Sequence, residues 1–230
     1  VSTLMEHNSV LRPLSELARS GIITLTLVPP DADGRIHAQE IERALTARTR
    51  LVAMTHMSNV LGLEQDVAST GAVCRRRGVL FLVDAAQTAG HLPLEPKKWG
   101  CTMLAMPGHK GLYGPQGTGL LLCGAEGKPL LYGGTGSMSR LQDMPPDLPD
   151  RLEAGTHNVP GIAGLAAGID FVRTQRTERI LLHERQLLRR AGHGMQRIPR
   201  VKCRFSEDGA LQAGVLSFTV AGLSAEETAE

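Results

Sequence analysis

The sequence predicts an α/β fold: a three-layer sandwich with a mostly parallel sheet, followed by the start of a smaller α+β C-terminal domain. Three observations lead there. Short and almost wholly apolar runs of strand length recur, as at residues 51–55 and 79–83. Runs of that kind belong to strands buried on both faces, the usual state of a parallel sheet. Between them lie amphipathic segments of helix length, the alternation expected of helices packed on both faces of a sheet. After residue 200 two further strand-like runs follow a long helical stretch, which marks a second unit. The resulting division is 1–172 for a large domain and 173–230 for the beginning of a small one.

Taken in order, a helix is expected from Asn8 towards Arg19, then a strand over 22–28 rich in Ile, Thr and Val. Pro29-Pro30-Asp31-Ala32-Asp33-Gly34 is a turn by composition. Residues 37–47 read as a helix with Ile41, Ala44 and Leu45 on one face. Leu51–Thr55 is a strand. Residues 66–77 form a helix stopped by Gly78, and 79–83 form a strand. Residues 101–106 and 118–122 are two more strands. Residues 133–149, rich in Gly, Met and Pro, read as loop. Helical periodicity runs over 161–190, interrupted by a polar stretch at 173–179. Strands are expected at 201–205 and 215–220. Ser224-Ala225-Glu226-Glu227 has the form of an N-cap with an acidic first turn.

Composition narrows the function. The chain has 230 residues, 42% of them hydrophobic, and a net charge of +2. Near-neutral charge argues against nucleic acid as a partner, and 3% aromatic residues argue against a base-stacking surface. Arg75-Arg76-Arg77 and Arg189-Arg190 then read as solvated helix faces. No apolar run approaches a membrane span, and no metal site is suggested. The four cysteines, Cys74, Cys101, Cys123 and Cys203, form no C-x-x-C pair. Reduced, buried thiols in a cytoplasmic protein are expected. Cys74, beside three arginines, is the one whose thiol pKa those charges would lower.

Ligands of open α/β sheets bind beyond the carboxyl ends of the strands, and several polar motifs fall there. Asp84-Ala85-Ala86-Gln87 follows the 79–83 strand. Pro107-Gly108-His109-Lys110-Gly111 follows the 101–106 strand. His56-Met57-Ser58-Asn59 follows Leu51–Thr55, and Glu6-His7-Asn8 lies near the start. A lysine in a partly buried pocket can form a Schiff base with a carbonyl cofactor. A lone carboxylate ending an apolar strand needs a partner, and a pyridinium nitrogen is one. Lys110 and Asp84 on neighbouring strand ends therefore suggest pyridoxal 5'-phosphate. Taken singly, Lys110 reads equally as a surface lysine, Asp84 as a helix cap, His7 as a core histidine and Asn59 as a turn residue.

Five ordered stretches sharpen this reading: Glu6-His7-Asn8-Ser9-Val10, Thr55-His56-Met57-Ser58-Asn59-Val60-Leu61-Gly62, Val83-Asp84-Ala85-Ala86-Gln87, Gly108-His109-Lys110-Gly111-Leu112-Tyr113-Gly114-Pro115-Gln116-Gly117 and Arg151-Leu152-Glu153-Ala154-Gly155-Thr156. In order and spacing the chain resembles class V aminotransferases of the cysteine desulfurase-like branch, with the fold of pyridoxal-phosphate-dependent transferases. The resemblance implies a role for each matched residue. Lys110 would hold the cofactor, and Asp84 would partner the ring nitrogen. His7 would stack on the ring and shuttle protons. Asn59 and Gln87 would contact substrate or the ring hydroxyl. His109 would contact the phosphate, and Thr156 would reach it from a second subunit, which implies a homodimer with shared active sites. The implied reaction removes sulfur from L-cysteine, or selenium from selenocysteine, leaving alanine, with the sulfur passing to an acceptor protein. Other class V transamination, epimerase or β-lyase chemistry is the alternative, as is an inactive fragment.

The resemblance also implies differences. Family members usually carry Ser where Pro107 stands, and proline offers the phosphate no donor. A Gly-Thr phosphate loop would precede Glu6-His7, and a carboxylate-binding Arg and a nucleophilic Cys would follow residue 230. On this reading the chain is a fragment lacking both ends of the family's catalytic domain. His56, His91, His157, His183 and His193 are expected to be structural or solvated.

Overall fold

The structure is a computed structural model and describes residues 1–206 and 212–229. The central sheet holds β3 (Leu51–Thr55), β4 (Leu80–Asp84), β5 (Met103–Pro107) and β6 (Gly119–Cys123) in that spatial order. β3, β4 and β5 run parallel, and β6 returns antiparallel to β5. The parallel part is the part read as continuous apolar strands. A two-stranded parallel piece, β1 (Ser2–Thr3) and β2 (Leu27–Val28), lies beside it. The Val1 amino group donates to the Leu51 carbonyl at 2.9 Å, and Ala53 N donates to Val1 O at 3.1 Å.

Helices connect the strands. α1 (Asn8–Arg19) joins β1 to β2, and α2 (Ala38–Ala44) precedes β3. α3 (Val67–Arg77) is the crossover from β3 to β4. Its start is capped by Asp66, whose side chain accepts from Ser69 N, and its end by Gly78 in the left-handed region at φ 62°. Both ends match the expected stop and start residues. α3 turns Val67, Thr70, Gly71, Val73 and Cys74 inward. At Gly71 a Cβ would stand 1.7 Å from the Trp99 carbonyl oxygen, so only glycine admits the short helix α4 (Pro96–Trp99) that the sequence did not announce. Ile41, Val52, Met54, Phe81, Val83 and Leu104 form the solvent-excluded centre of the core.

Several elements differ from expectation for local reasons. Of the strand expected over 22–28 only Leu27–Val28 forms. Ile22 and Ile23 donate instead to Leu17 O and close the end of α1, and β1 offers a partner of two residues. α2 stops at Ala44 because Thr46 and Thr49 hydrogen-bond to each other in a turn. The long helical region resolves into α5 (Val159–Gln175) and α6 (Thr177–Met195), broken at Arg176 with φ 67°. β7 (Val201–Arg204) and β8 (Ser217–Val220) form an antiparallel pair, and α7 (Ala225–Ala229) opens on a capping box between Ser224 and Glu227.

The C-terminal elements are fastened to the loop after β3. The Gln212 side chain, buried, donates to Leu61 O and Arg204 O and accepts from Ser206 N. Ala213 N donates to Gly62 O at 3.1 Å. Buried polar groups bonded on every side fix a geometry more firmly than apolar contact does.

Candidate active site

β3, β4 and β5 end side by side: Thr55 pairs with Asp84, and Asp84 with Ala105. The chemistry-bearing residues leave from these ends. Asp84 is 8% exposed. Its Oδ1 accepts from Ala86 N at 2.9 Å, and its Oδ2 has no hydrogen-bond partner among the described residues. Gln87 follows, half-buried, in the turn. The Asp84 carbonyl is also held, by His56 N at 2.9 Å.

The next strand end carries Lys110, half-buried and without a hydrogen bond or ion pair among the described residues. The turn that presents it is rigid. At Gly108 a Cβ would meet Thr118 Oγ1 at 2.2 Å, and at Gly111 it would meet the His91 ring at the same distance. Lys110 is thus set between two residues that must be glycine. Tyr113 N donates to Lys110 O, and Gly114 N to Gly108 O. His109, on the same turn, is exposed.

On the other side of Asp84 the β1–α1 turn is joined to β3. Glu6 Oε1 accepts from Thr3 Oγ1 at 2.6 Å and from Thr55 N at 2.9 Å. His7, the next residue, is the N-cap of α1, its Nδ1 accepting from Ser9 N at 3.1 Å. Its capping contact is one the sequence did not signal, because His is not among the favoured cap residues. Asn59 is exposed in the loop after β3, where Ser58 Oγ accepts from Val60 N and Leu61 N.

The structure therefore gathers His7, Asn59, Asp84, Gln87, His109 and Lys110 at one edge of the sheet. Thr156 is not among them. It is exposed in a segment whose neighbour Gly155 donates to Gly134 O at 2.7 Å. Glu6 is the participant whose place sequence reasoning left empty, though it stood inside a quoted motif. Burial pushes its carboxyl group up to about 7, against lowering by the Thr3 and Thr55 hydrogen bonds, and the Asp84 charge raises it further.

The histidines expected to be structural are so where contacts exist. His56 is buried, with Nδ1 3.0 Å from Thr88 Oγ1 and its ring edge-on to Trp99. His91 Nδ1 lies 2.5 Å from Glu184 Oε1. Cys74 differs from the lowering its arginines suggested: burial raises its thiol to about 11, while Arg75, Arg76 and Arg77 are exposed to solvent. All four cysteines are free. Among the described residues no helix is long and apolar enough to cross a membrane, and no cluster of ligands for a metal ion occurs.

Fold and site together define an α/β protein with an unpaired amine, an unpaired carboxylate oxygen and imidazoles on the carboxyl edge of a parallel sheet. The chain belongs to the class V aminotransferase family, whose model matches residues 1–230. It is 34% identical over 232 residues to a probable cysteine desulfurase of Methanothermobacter thermautotrophicus, covering 98% of this chain and 57% of that protein. The apo structure of a cysteine desulfurase from Thermococcus onnurineus NA1 superposes with a TM-score of 0.84 at 33% identity, covering 99% of this chain and 58% of the other. The structure of SspA in complex with cysteine matches at a TM-score of 0.65 and 30% identity, over 74% of this chain and 46% of that one. The chain thus spans about half the length of these relatives. The three-layer α/β fold with a mostly parallel sheet is the fold these structures share.

The residues present fit pyridoxal phosphate. Asp84 Oδ2 is a carboxylate oxygen with nothing bound to it at the end of an apolar strand, the complement of a protonated ring nitrogen. Lys110 is an amine with no carboxylate to neutralise it among the described residues, and His109 is an exposed donor two residues past Pro107, which supplies none.

Proposed function

We propose that this chain carries the cofactor-binding part of a pyridoxal-phosphate-dependent enzyme of cysteine desulfurase type, which takes sulfur from L-cysteine and leaves alanine. On this reading 1–172 is the large domain and 173–230 the start of the small one. The enzyme works as a cytoplasmic homodimer with shared active sites, and a sulfur-acceptor protein receives the product sulfur. The observation that carries the reading is that a free Asp84 Oδ2 and a Lys110 amine without a partner among the described residues follow adjacent strands of the sheet. The names of the relatives, and the cysteine held by SspA, favour cysteine as the amino acid.

When bound, the cofactor supplies an electron sink for the substrate's α- and β-carbons. The residues of the chain do the rest. Asp84 would hold a proton on the ring nitrogen, and its burial at a strand end would keep that charge pair strong. His7 would stack on the ring and carry a proton. Lys110 would hold the cofactor through its amine and, when free, would serve as a positioned acid and base. Gln87 and Asn59 orient the ring hydroxyl and the substrate. His109 contacts the phosphate, as does Thr156 of the second subunit, whose exposure in this chain suits a contact made in trans.

Incubating the protein with pyridoxal phosphate tests the reading. A visible absorbance that survives gel filtration, and a borohydride-fixed adduct mapped to Lys110 by mass spectrometry, are expected. Lys110→Ala should abolish both. A parent protein that stays colourless at saturating cofactor overturns the proposal.

A further inference from the structure

Glu6 is 7% exposed, its Oε2 is buried without a hydrogen-bond partner, and its Oε1 takes two hydrogen bonds. The place of those bonds is informative. Beside β3, the main chain accepts from Ala53 N through Val1 O. Two residues on, at Thr55 N, the next acceptor in the ladder is not main chain. The chain has already left the strand to turn into α1, and Glu6 Oε1 takes the vacant position. Thr3 Oγ1 locks the turn from within by accepting from Met5 N at 3.1 Å while donating to the same Glu6 oxygen. A side chain so continues the sheet to its last residue, and that residue pairs with Asp84.

We propose that Glu6 is a positioning residue of the strand-end site: its carboxyl group pins the Met5–His7 turn to the end of β3 and so sets where the His7 imidazole stands relative to Asp84 and Lys110. The inference rests on the pyridoxal-phosphate reading above. Among the described residues His7 has no hydrogen bond of its own to the sheet. Its ring bonds are with Ser9, in its own helix, so the helix start and the imidazole move together with Glu6. A carboxylate placed here solely for stability would not be left with one buried oxygen unbonded, since an unsatisfied buried acceptor carries a cost. The group acting on Glu6 by charge is Asp84, and Thr3 and Thr55 face it as uncharged donors.

The test compares the full chain with Glu6→Ala, Glu6→Gln and Thr3→Val, each with and without pyridoxal phosphate. Hydrogen exchange at the Thr55 amide reads the pin without cofactor. The visible band of the bound cofactor, and its retention, read the imidazole's placement. Glu6→Ala should expose the Thr55 amide, shift the band and weaken cofactor binding on the order of tenfold. Glu6→Gln, which keeps Oε1, should restore all three. Thr3→Val should shift the band in the same direction by less. If Glu6→Ala folds with the parent's band and affinity, the proposal is overturned. If Glu6→Ala does not fold, a parent-like band and affinity in Thr3→Val overturns it. A parent protein with no lysine-bound cofactor overturns the pyridoxal-phosphate reading and this inference with it. A coloured parent beside unshifted variants overturns this inference alone.

Discussion

β4 and β6 are both five-residue strands of the same sheet, and both are almost wholly apolar in sequence. Phe81 and Val83 of β4 are sealed from solvent, whereas Leu120, Leu121 and Leu122 of β6 are all exposed, Leu121 at 52%. β4 is paired on both sides and covered by α3 through the Gly71 contact with Phe81. β6 is paired on one side, to β5. The difference shows that hydrophobicity selects a strand but does not bury it; pairing and a covering helix do. It also bears on the proposed site. The buried half ends in Asp84, where a low-dielectric neighbourhood gives a charge leverage. The exposed half ends in Cys123, whose Sγ lies 3.2 Å from Ala125 O.

Three experiments would break or sharpen this contrast. The largest effect is expected in the buried half. Phe81→Ala should cost about 4 kcal/mol of unfolding free energy, because a sealed aromatic leaves a cavity its neighbours cannot close. Denaturant titration measures it. A loss below about 1 kcal/mol would mean the β4 environment is far looser than its burial implies.

Next comes the polar end of that half. Glu6 ionises near 4.5 when unfolded and at about 7 when folded. The folded state then holds its proton more tightly. Stability from this group is full below pH 4.5, falls as pH rises towards 7 and is level above it. The fall is about 3 kcal/mol. The difference between the parent and Glu6→Gln, measured by denaturant unfolding at a series of pH values, isolates it. Parallel pH profiles for the two proteins would place the Glu6 carboxyl in solvent.

The smallest change belongs to the exposed strand. Leu121→Ser should alter unfolding free energy by no more than about 0.5 kcal/mol. A loss comparable to that of Phe81→Ala would show that β6 is covered in solution, by a second copy or by polypeptide beyond these residues.

Much of the fold was legible along the chain. Leu51–Thr55 coincides with β3, and Asn8–Arg19 with α1. Asp66 and Gly78 bound α3 as their capping chemistry requires. The strand over 22–28 was misjudged because β-propensity does not count partners: the isoleucines were taken up by the end of α1. The Pro96–Trp99 helix was missed because a single turn carries no period to detect, and it is held by a close approach at Gly71.

For the site, local sequence determined which residues stand at the strand ends, since a polar residue after an apolar run emerges where the strand stops. Lys110 between obligate glycines, and Asp84 closing β4, follow from neighbours in the chain. Only the tertiary structure decided their states. Glu6 meets Thr55 across 49 residues and shares a buried neighbourhood with Asp84, so its titration depends on a surface assembled from three strands. Cys74 is buried, as expected of a core thiol, and that burial raises it to about 11 although its adjacent arginines could have lowered it. Sequence neighbours settle which groups are present and where the backbone turns. Desolvation is a sum over everything packed around a group, and that sum exists only once the chain has folded.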